Sequence, residues 1–380
     1  MSKLIGISLG AMIALGAVSA AEPLKLDPNL PYQAKKSNPV TYDVDFSVVV
    51  TPPYHSKVLK VWLPLPQSDV AQEVVEKELT SFPINVEPRV GQEETYGNKF
   101  AYFEFQNPEG AQIVRHKFKI TVWELHWNLD PDRVEKVERW PAAFDLYLRS
   151  DQSVLVDDRF RKVAHEIVPD RHGPARDLAT VMNWVNGYMK YDHAAASLRA
   201  SSEHALTTHA GHCSDYHGLC AAVSRALGYP TRITYGINAF PKNSPSHCKV
   251  EAFIPPYGWV SFDVSETQNL INAIKKSKDL DAKKKDDLIR AATERLASGF
   301  RDNTWFLQTR GTDYELMPPA AKRVPVVRTI HAEADGVALP DPDPANPHKH
   351  EFSWMTVHQY TADKKVPYPF KDWSTLNLKP

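Results

Sequence analysis

The N-terminal part of the chain is dominated by a hydrophobic pattern with a period of two. In VTYDVDFSVVV, at residues 40–50, apolar side chains alternate with mostly polar ones, which predicts a strand with one buried face. Similar segments follow in KVLKVWLPL, KFAYFEF and RHKFKITVWEL, separated by stretches that contain Pro, Asn and Gly. Several strands with turn signals between them, and no strong helical run, predict a β-sandwich over about residues 39–125.

The pattern then changes to the period of an amphipathic helix in PARDLATVMNWVNGYMKY, at residues 174–191. A second helix is predicted in GHCSDYHGLCAAVSRALGYP, where Cys213 stands at the N-terminus and Gly228 and Pro230 end the helix. Two strand-like segments, TRITYGIN and SHCKVEAFIPPYGWVSFDVS, follow it. The second reads as a hairpin with its turn at PPYG. Helices mixed with antiparallel strands predict an α+β fold.

Charge and the N-terminal segment restrict the class of protein. Lys+Arg number 45 and Asp+Glu 46, and neither sign dominates a long stretch, so we expect no nucleic-acid partner. Lys3, the apolar run 4–18 and small residues up to Ala21 predict a signal peptide cleaved after Ala20 or Ala21. The run is shorter than the ~20 residues that span a bilayer. We therefore predict a periplasmic or secreted protein without stable membrane insertion after cleavage.

Cys213 is the first candidate for chemistry. The chain has 3 cysteines, and an odd number in an oxidising compartment leaves at least one unpaired. A helix N-terminus and a nearby imidazolium both favour the reactive thiolate. His247 opens the next strand and Asp263 is expected on the partner strand of the hairpin. Together they could supply a nucleophile, a proton carrier and an acid that orients the imidazole.

These segments resemble the transglutaminase-like domain, a circularly rearranged relative of papain-like cysteine proteases. The shared pattern is Gly-x-Cys at a helix start, RALG-P-R leading into a strand, a His opening the next strand, and GW-x-x-FD closing the hairpin. It covers residues 170–270 and matches at Cys213, His247 and Asp263. The sequence departs from the pattern at Cys248 and Lys249, where the family usually has a small residue followed by Trp.

The resemblance implies a papain-like/transglutaminase-like core in which Cys213 forms an acyl-enzyme, His247 transfers the proton and Asp263 orients His247. We expect a peptide or protein substrate and no cofactor or metal. The first hypothesis is hydrolysis of a peptide or isopeptide amide bond. The alternatives are a protein-glutamine crosslinking transglutaminase and a catalytically inactive envelope binding module.

Other interpretations of the same residues stay open. A zinc site could be drawn from six N and S ligands, His212, Cys213, His217, Cys220, His247 and Cys248. Against it, the sequence has no CxxC or HExxH motif, and adjacent residues of a strand point to opposite faces. A Cys220–Cys248 disulfide is also conceivable. For Arg232, Gly258 and Trp259 we expect structural roles.

The predicted organisation has five units along the chain. They are a signal peptide (1–20), an N-terminal β-sandwich (39–125), a transglutaminase-like catalytic core (150–270), a charged helix (271–300) and a C-terminal β-strand extension (301–380).

Overall fold

A computed structural model of the protein describes residues 26–240, 245–342 and 353–376. The predicted signal peptide lies outside these ranges. Within them, the first part of the chain is built of strands. They are β1 (Lys35–Val50), β2 (Val58–Leu65), β3 (Gln72–Phe82), β4 (Arg89–Gln92), β5 (Lys99–Gln106) and β6 (Gln112–His126).

The middle of the chain is mixed. Its helices and strands are α1 (Asp158–Ile167), α2 (Pro174–Tyr188), β7 (Lys190–Tyr191), α3 (Ser202–Thr208), β8 (Ala210–Gly211), α4 (Cys213–Ala226), β9 (Thr231–Asn238), β10 (Ser246–Ile254), β11 (Gly258–Phe262), α5 (Val264–Lys276) and α6 (Ala282–Ala297). Short strands return after it. They are β12 (Phe300–Arg301), β13 (Trp305–Arg310), β14 (His331–Ala334), β15 (Val337–Ala338) and β16 (Trp354–Ala362).

Two antiparallel sheets form the sandwich. In one, β16 pairs with β1, β1 with β6, and β6 with both β3 and β12. The other has the order β15-β14-β2-β5-β4. The alternating apolar residues of β1 face the second sheet and are buried, as expected for a strand with a period of two. Both sheets therefore include strands from the C-terminal part of the chain, next to the strands that the alternation predicts.

A third antiparallel sheet carries the candidate site and has the order β11-β10-β9-β13. Helix α4 packs on β10 and β9, and its residues are almost all buried. The sandwich contacts the third sheet directly, because the Phe118 ring meets the Phe306 ring edge to face at 5.6 Å. Gln72 adds two hydrogen bonds to the backbone of Leu307, of 2.8 and 2.9 Å. These contacts fix β13 beneath the site.

The predicted α+β architecture with a strand-rich N-terminal region is confirmed, but β3 and β4 were missed. Strand β3 contains several Glu and Lys residues and is largely exposed. It pairs with β6 on one side only and so lies at a sheet edge. Edge strands are commonly charged, so the hydrophobic signal is weak there. Within the described ranges, no helix is both long and apolar enough to cross a membrane.

The charged segment at 271–300 differs from the single helix that its composition suggests. It holds the end of α5 and the whole of α6. Asp281 caps the second helix by accepting a hydrogen bond of 2.7 Å from the Lys284 N–H, which is a strong start signal inside the segment. The unit boundaries themselves stay a prediction.

Candidate active site

Helix α4 brings the Cys213 thiol to the centre of the site. Cys213 is the first residue of α4 and only 8% exposed. The entry is tight because Asp215 reaches back to accept a 3.1 Å hydrogen bond from the His212 N–H. A Cβ atom on Gly211 would lie 2.4 Å from an Asp215 oxygen, so this position needs glycine. The first N–H groups of a helix lack intrahelical acceptors and favour a nearby negative charge.

Strand β10 supplies His247. In the ladder with β9, His247 lies opposite Gly236. A Cβ on Gly236 would clash with the Trp305 ring, so the glycine leaves room for that indole. Trp305 on β13 in turn donates a 3.1 Å hydrogen bond from Nε1 to the His247 carbonyl. The aromatic support missing at Lys249 in the sequence pattern is thus supplied by a residue of another strand.

Asp263 connects the sheet to helix α5. It follows β11 and forms the N-cap of α5, rather than lying within the partner strand as the sequence analysis expected. One carboxylate oxygen, Oδ1, accepts the Glu266 N–H at 3.1 Å. The other, Oδ2, lies 2.8 Å from Nε2 of His247 and 2.6 Å from Nζ of Lys249. Capping holds the carboxylate in place, because the helix orients one oxygen while the other faces the imidazole.

The three predicted side chains form a charged arrangement. The pKa of the Cys213 thiol is held well below its usual range by a hydrogen bond from Cys248, with burial opposing and His212 and His247 reinforcing the shift. Burial lowers the pKa of His247, but the negative charges of Asp263 and Cys213 outweigh it and raise the value to about 10. The structure therefore favours a thiolate–imidazolium pair at neutral pH.

Burial by itself would raise the pKa of Asp263, because it disfavours the charged carboxylate. The positive charges of His247 and Lys249 outweigh this effect and hold the pKa well below its usual range. His247 Nδ1, the nitrogen that faces away from Asp263, has no partner within ordinary hydrogen-bond geometry among the described atoms. That nitrogen is therefore available to the sulfur and to a reacting group.

A second thiol lies beside the first. His217 is one turn after Cys213 on α4, and its Nδ1 is 3.4 Å from the Cys248 sulfur. Its Nε2 accepts a 3.1 Å hydrogen bond from the Val264 N–H, so Nδ1 carries the proton and donates to Cys248. Burial lowers the pKa of His217 to about 4 and raises that of Cys248 well above its usual value. Cys248 therefore remains a protonated thiol that donates to the Cys213 sulfur.

Lys249 was missed as a member of the site. Residues 247 and 249 are two apart on β10 and share a face, which was a usable signal in the sequence. Its ammonium bridges Asp263 at 2.6 Å and Asp302 at 2.8 Å. Nothing in the sequence indicated Asp302, because it lies in the turn between β12 and β13, far along the chain from Lys249.

The described residues form neither the zinc site nor the disulfide that the sequence left open. Within 26–240, 245–342 and 353–376, no three His, Cys, Asp or Glu side chains are arranged to hold a metal ion. Cys213, Cys248 and His217 are neighbours, but they are not arranged as metal ligands. All three cysteines are free thiols, and the thiol next to Cys248 is Cys213. His209 is exposed and stacks against Tyr188, whereas His212 is buried at the helix start.

Arg232, Trp259 and Gly258 have structural contacts. Arg232 makes a 2.7 Å ion pair with Glu251 and lies 4.0 Å over the Trp259 ring. The Trp259 indole donates to the Pro28 carbonyl at 2.7 Å. Gly258 has a φ of +66° at the hairpin turn, a conformation that favours glycine.

The C-terminal segment borders the site from the other side. A narrow slot lies next to His247. Phe240 and Glu266 line it from the middle of the chain, and Tyr368 and Phe370 line it from the C-terminal segment. The rings of Phe240 and Tyr368 meet edge to face at 4.7 Å. The site therefore lies between α4, the third sheet and this returning segment.

Comparisons with known proteins show a family match in this part of the chain and a similar overall fold. Residues 161–264 match the model of the transglutaminase-like superfamily, a range that includes Cys213, His247 and Asp263. The chain is 21% identical over 374 residues to an uncharacterized protein of Haemophilus influenzae, covering 90% of this chain and 97% of that protein. The crystal structure of a candidate cysteine protease from Cytophaga hutchinsonii is similar with a TM-score of 0.61 at 15% identity, over 90% of this chain and 97% of that one.

Proposed function

We propose that the transglutaminase-like domain of this chain is a cysteine-dependent acyl-transfer enzyme that hydrolyses a peptide or isopeptide amide bond. The observation that carries the proposal is the buried contact between His247 and Asp263 beside a Cys213 thiol at a helix N-terminus. Each group has the charge that amide attack needs, since Cys213 favours the thiolate and His247 the imidazolium.

The first step joins the sulfur of Cys213 to the substrate carbonyl carbon. The Cys213 backbone N–H at the start of α4 is suited to stabilise the oxyanion that develops. Once the sulfur is bonded to the carbonyl carbon in the tetrahedral intermediate, it no longer carries a negative charge. Because that charge helps raise the pKa of His247, its loss makes the imidazolium a stronger acid. His247 then protonates the leaving amine as the C–N bond breaks.

The second step releases the acyl group. His247 is neutral after giving up its proton, so it can take a proton from water as water attacks the thioester. The tetrahedral intermediate then collapses with cleavage of the C–S bond, which releases the carboxylic acid product and leaves the Cys213 thiolate beside the His247 imidazolium. Asp263 holds the imidazole in one orientation through both steps. If an amine replaces water, the same enzyme crosslinks, and this remains the alternative outcome.

We propose hydrolysis first because the Cytophaga protein of the same fold is described as a candidate cysteine protease. We also propose that the enzyme is exported, on the strength of the N-terminal charge and hydrophobic pattern. A periplasmic or extracellular site of action would give it envelope or secreted peptides and proteins as substrates.

The first experiment measures the rate of iodoacetamide labelling of the reduced mature protein from pH 4 to 9. We compare the wild type with Cys213→Ala and His247→Ala. We expect fast labelling well below the free-thiol pKa of ~8.5, absent in Cys213→Ala and shifted to higher pH in His247→Ala. Slow labelling that neither variant changes would reject the enzyme and favour a binding module with an inactive site.

The second experiment separates hydrolysis from transfer. Purified protein is given a peptide library in the presence and absence of a labelled primary amine, and products are identified by mass. We expect cleavage that depends on Cys213, with little amine incorporation. Incorporation much faster than cleavage would replace hydrolysis by crosslinking and leave the acyl-enzyme proposal intact.

The pH dependence of kcat/KM has an expected form. Below the lowered pKa of Cys213 the nucleophile is protonated, and above the His247 pKa of about 10 no proton is available for the leaving amine. As the pH increases, kcat/KM should therefore rise in the acidic range, stay level through neutrality and fall near pH 10. A descending limb close to pH 7 would show that Asp263 and Cys213 do not raise the pKa of His247 as described.

A further inference from the structure

Lys249 is a fully buried cation held between two carboxylates. Its Nζ lies 2.6 Å from Asp263 and 2.8 Å from Asp302, and its side chain is 1% exposed. The rings of Trp305 and Phe370 flank the ammonium at 5.1 and 5.0 Å. Such a group is costly to bury unless it is paired. Burial lowers the pKa of Lys249, but the negative charges of Asp263 and Asp302 outweigh it and keep the ammonium charged.

Further titratable and charged groups face this cluster from each neighbouring element. His247 contacts Asp263 from the same strand, and His217 approaches Asp263 from α4 at 3.9 Å. Arg295 on α6 lies 4.7 Å over the Phe370 ring, and its charge interacts with Asp302 and Asp263. Glu266 on α5 and Lys371 line the same slot.

The sharing of Asp263 has a chemical consequence. The same oxygen, Oδ2, accepts from His247 and from Lys249. A carboxylate that serves two cations stabilises each less than it would stabilise one alone, and a nearby ammonium favours the anionic form of a thiol and the neutral form of an imidazole. Asp302 acts in the opposite direction because it neutralises the ammonium.

We propose that Lys249 is a positioning residue: held between Asp263 and Asp302, its ammonium fixes the shared carboxylate against His247 and sets the pH range in which Cys213 is a thiolate. This role rests on the proposed function, since it acts through the Cys213–His247 pair. Asp302 is the second member of the device and limits the influence of Lys249 on that pair.

The test compares the pH dependence of Cys213 alkylation and of kcat/KM in three proteins, the wild type, Lys249→Met and Asp302→Asn. Removing the cation should move both limbs of the thiolate–imidazolium range to higher pH, by about one unit. Removing the anion should move both limbs to lower pH. Shifts in opposite directions indicate an electrostatic role. Loss of a merely structural contact would reduce the activity of both variants without moving their pH limbs in opposite directions.

Lys249→Met leaves the buried Asp302 without its cation and Asp263 with His247 alone, and the variant could fail to fold. Asp302→Asn keeps Lys249 paired with Asp263. The expected shift of its two pH limbs to lower pH therefore tests the proposal even if Lys249→Met does not fold. The double variant Lys249→Met/Asp302→Asn removes one charge of each sign and should fold with limbs between those of the single variants. Circular dichroism and thermal unfolding check each protein.

Unshifted limbs in a folded Asp302→Asn protein, or shifts in the same direction in both single variants, would overturn the role of Lys249. These results differ from failure of the proposed function. In that case the wild type itself would show no activated thiolate and no turnover.

Discussion

The sandwich core and the charged cluster around Asp263 are both buried, but they are stabilised in opposite ways. In the sandwich, Phe46, Phe103 and Phe118 are at most 2% exposed, and removal of apolar area from water stabilises them without requiring one partner geometry. In the cluster, His247 and Lys249 each have a counter-charge at hydrogen-bond distance, as Lys249 has in Asp302. Burial alone would destabilise these groups.

The difference separates stability from chemistry. A change in the sandwich should reduce the free energy of unfolding and leave the protonation states of the site unaltered. A change in the cluster should alter both, because the same ion pairs hold the fold locally and contribute to the charge of Cys213 through His247. The following predictions test this separation, from the largest expected effect to the smallest.

Asp263→Ala should be the most damaging substitution. It removes the acceptor of His247 and Lys249 together with the N-cap of α5. Leaving buried charges unpaired costs about 3–5 kcal/mol, to which loss of the cap adds about 1 kcal/mol. Urea unfolding at pH 7 measures the first effect, and alkylation of Cys213 at pH 6 should slow as well. An unchanged midpoint would mean that His247 and Lys249 find other partners.

Phe103→Ala should cost about as much stability without altering the chemistry. The ring is fully buried between the two sheets and stacks against Phe105, and such truncations cost about 3–5 kcal/mol. The pH profile of Cys213 labelling should match that of the wild type in the folded protein. Phe82→Ala is the matched control, because that ring is 66% exposed and should change stability by less than about 0.5 kcal/mol. A shifted labelling profile in Phe103→Ala would show that a change in the sandwich does alter the protonation states of the site.

Cys248→Ala should alter the chemistry more than the stability. It removes the hydrogen bond that is the first cause of the lowered pKa of Cys213, so this pKa should rise. The rise should move the acidic limb of the alkylation profile to higher pH, and at a pH below both pKa values each unit of rise reduces the thiolate fraction about tenfold. Cys220→Ala is the control, since it removes a buried thiol from the same helix, away from the Cys213 sulfur. Equal labelling rates in the two variants would contradict the thiol contact.

Asp45→Asn should have the smallest effect. Asp45 pairs with Arg115 on the outer surface of the sandwich, where the two side chains are 32% and 40% exposed. Pairs of this kind contribute less than about 1 kcal/mol and are screened by salt. Unfolding midpoints at low and high ionic strength should therefore differ little from those of the wild type. A loss as large as that of Asp263→Ala would show that exposed and buried pairs are equivalent here.

Several elements could be predicted from the sequence because their signals are local. The alternation in β1 predicts a strand, and the residues around Gly211 and Gly228 delimit α4. The transglutaminase-like pattern then identified Cys213, His247 and Asp263 as candidates, and the structure places the three side chains next to one another. Their catalytic roles stay a proposal. The edge strand β3 was missed because its charged residues carry no burial signal.

What the sequence by itself determined is therefore the elements with a strong local pattern, the α+β class and the three candidate residues, since periodicity, glycines and short motifs depend on neighbours along the chain. Only the tertiary structure decided that Trp305 supports His247, that Cys248 touches the Cys213 sulfur, and that Asp302 completes the pairing of Lys249. Those contacts join residues far apart in sequence. Buried polar groups must find partners wherever packing places them, and no local pattern specifies which partners these are.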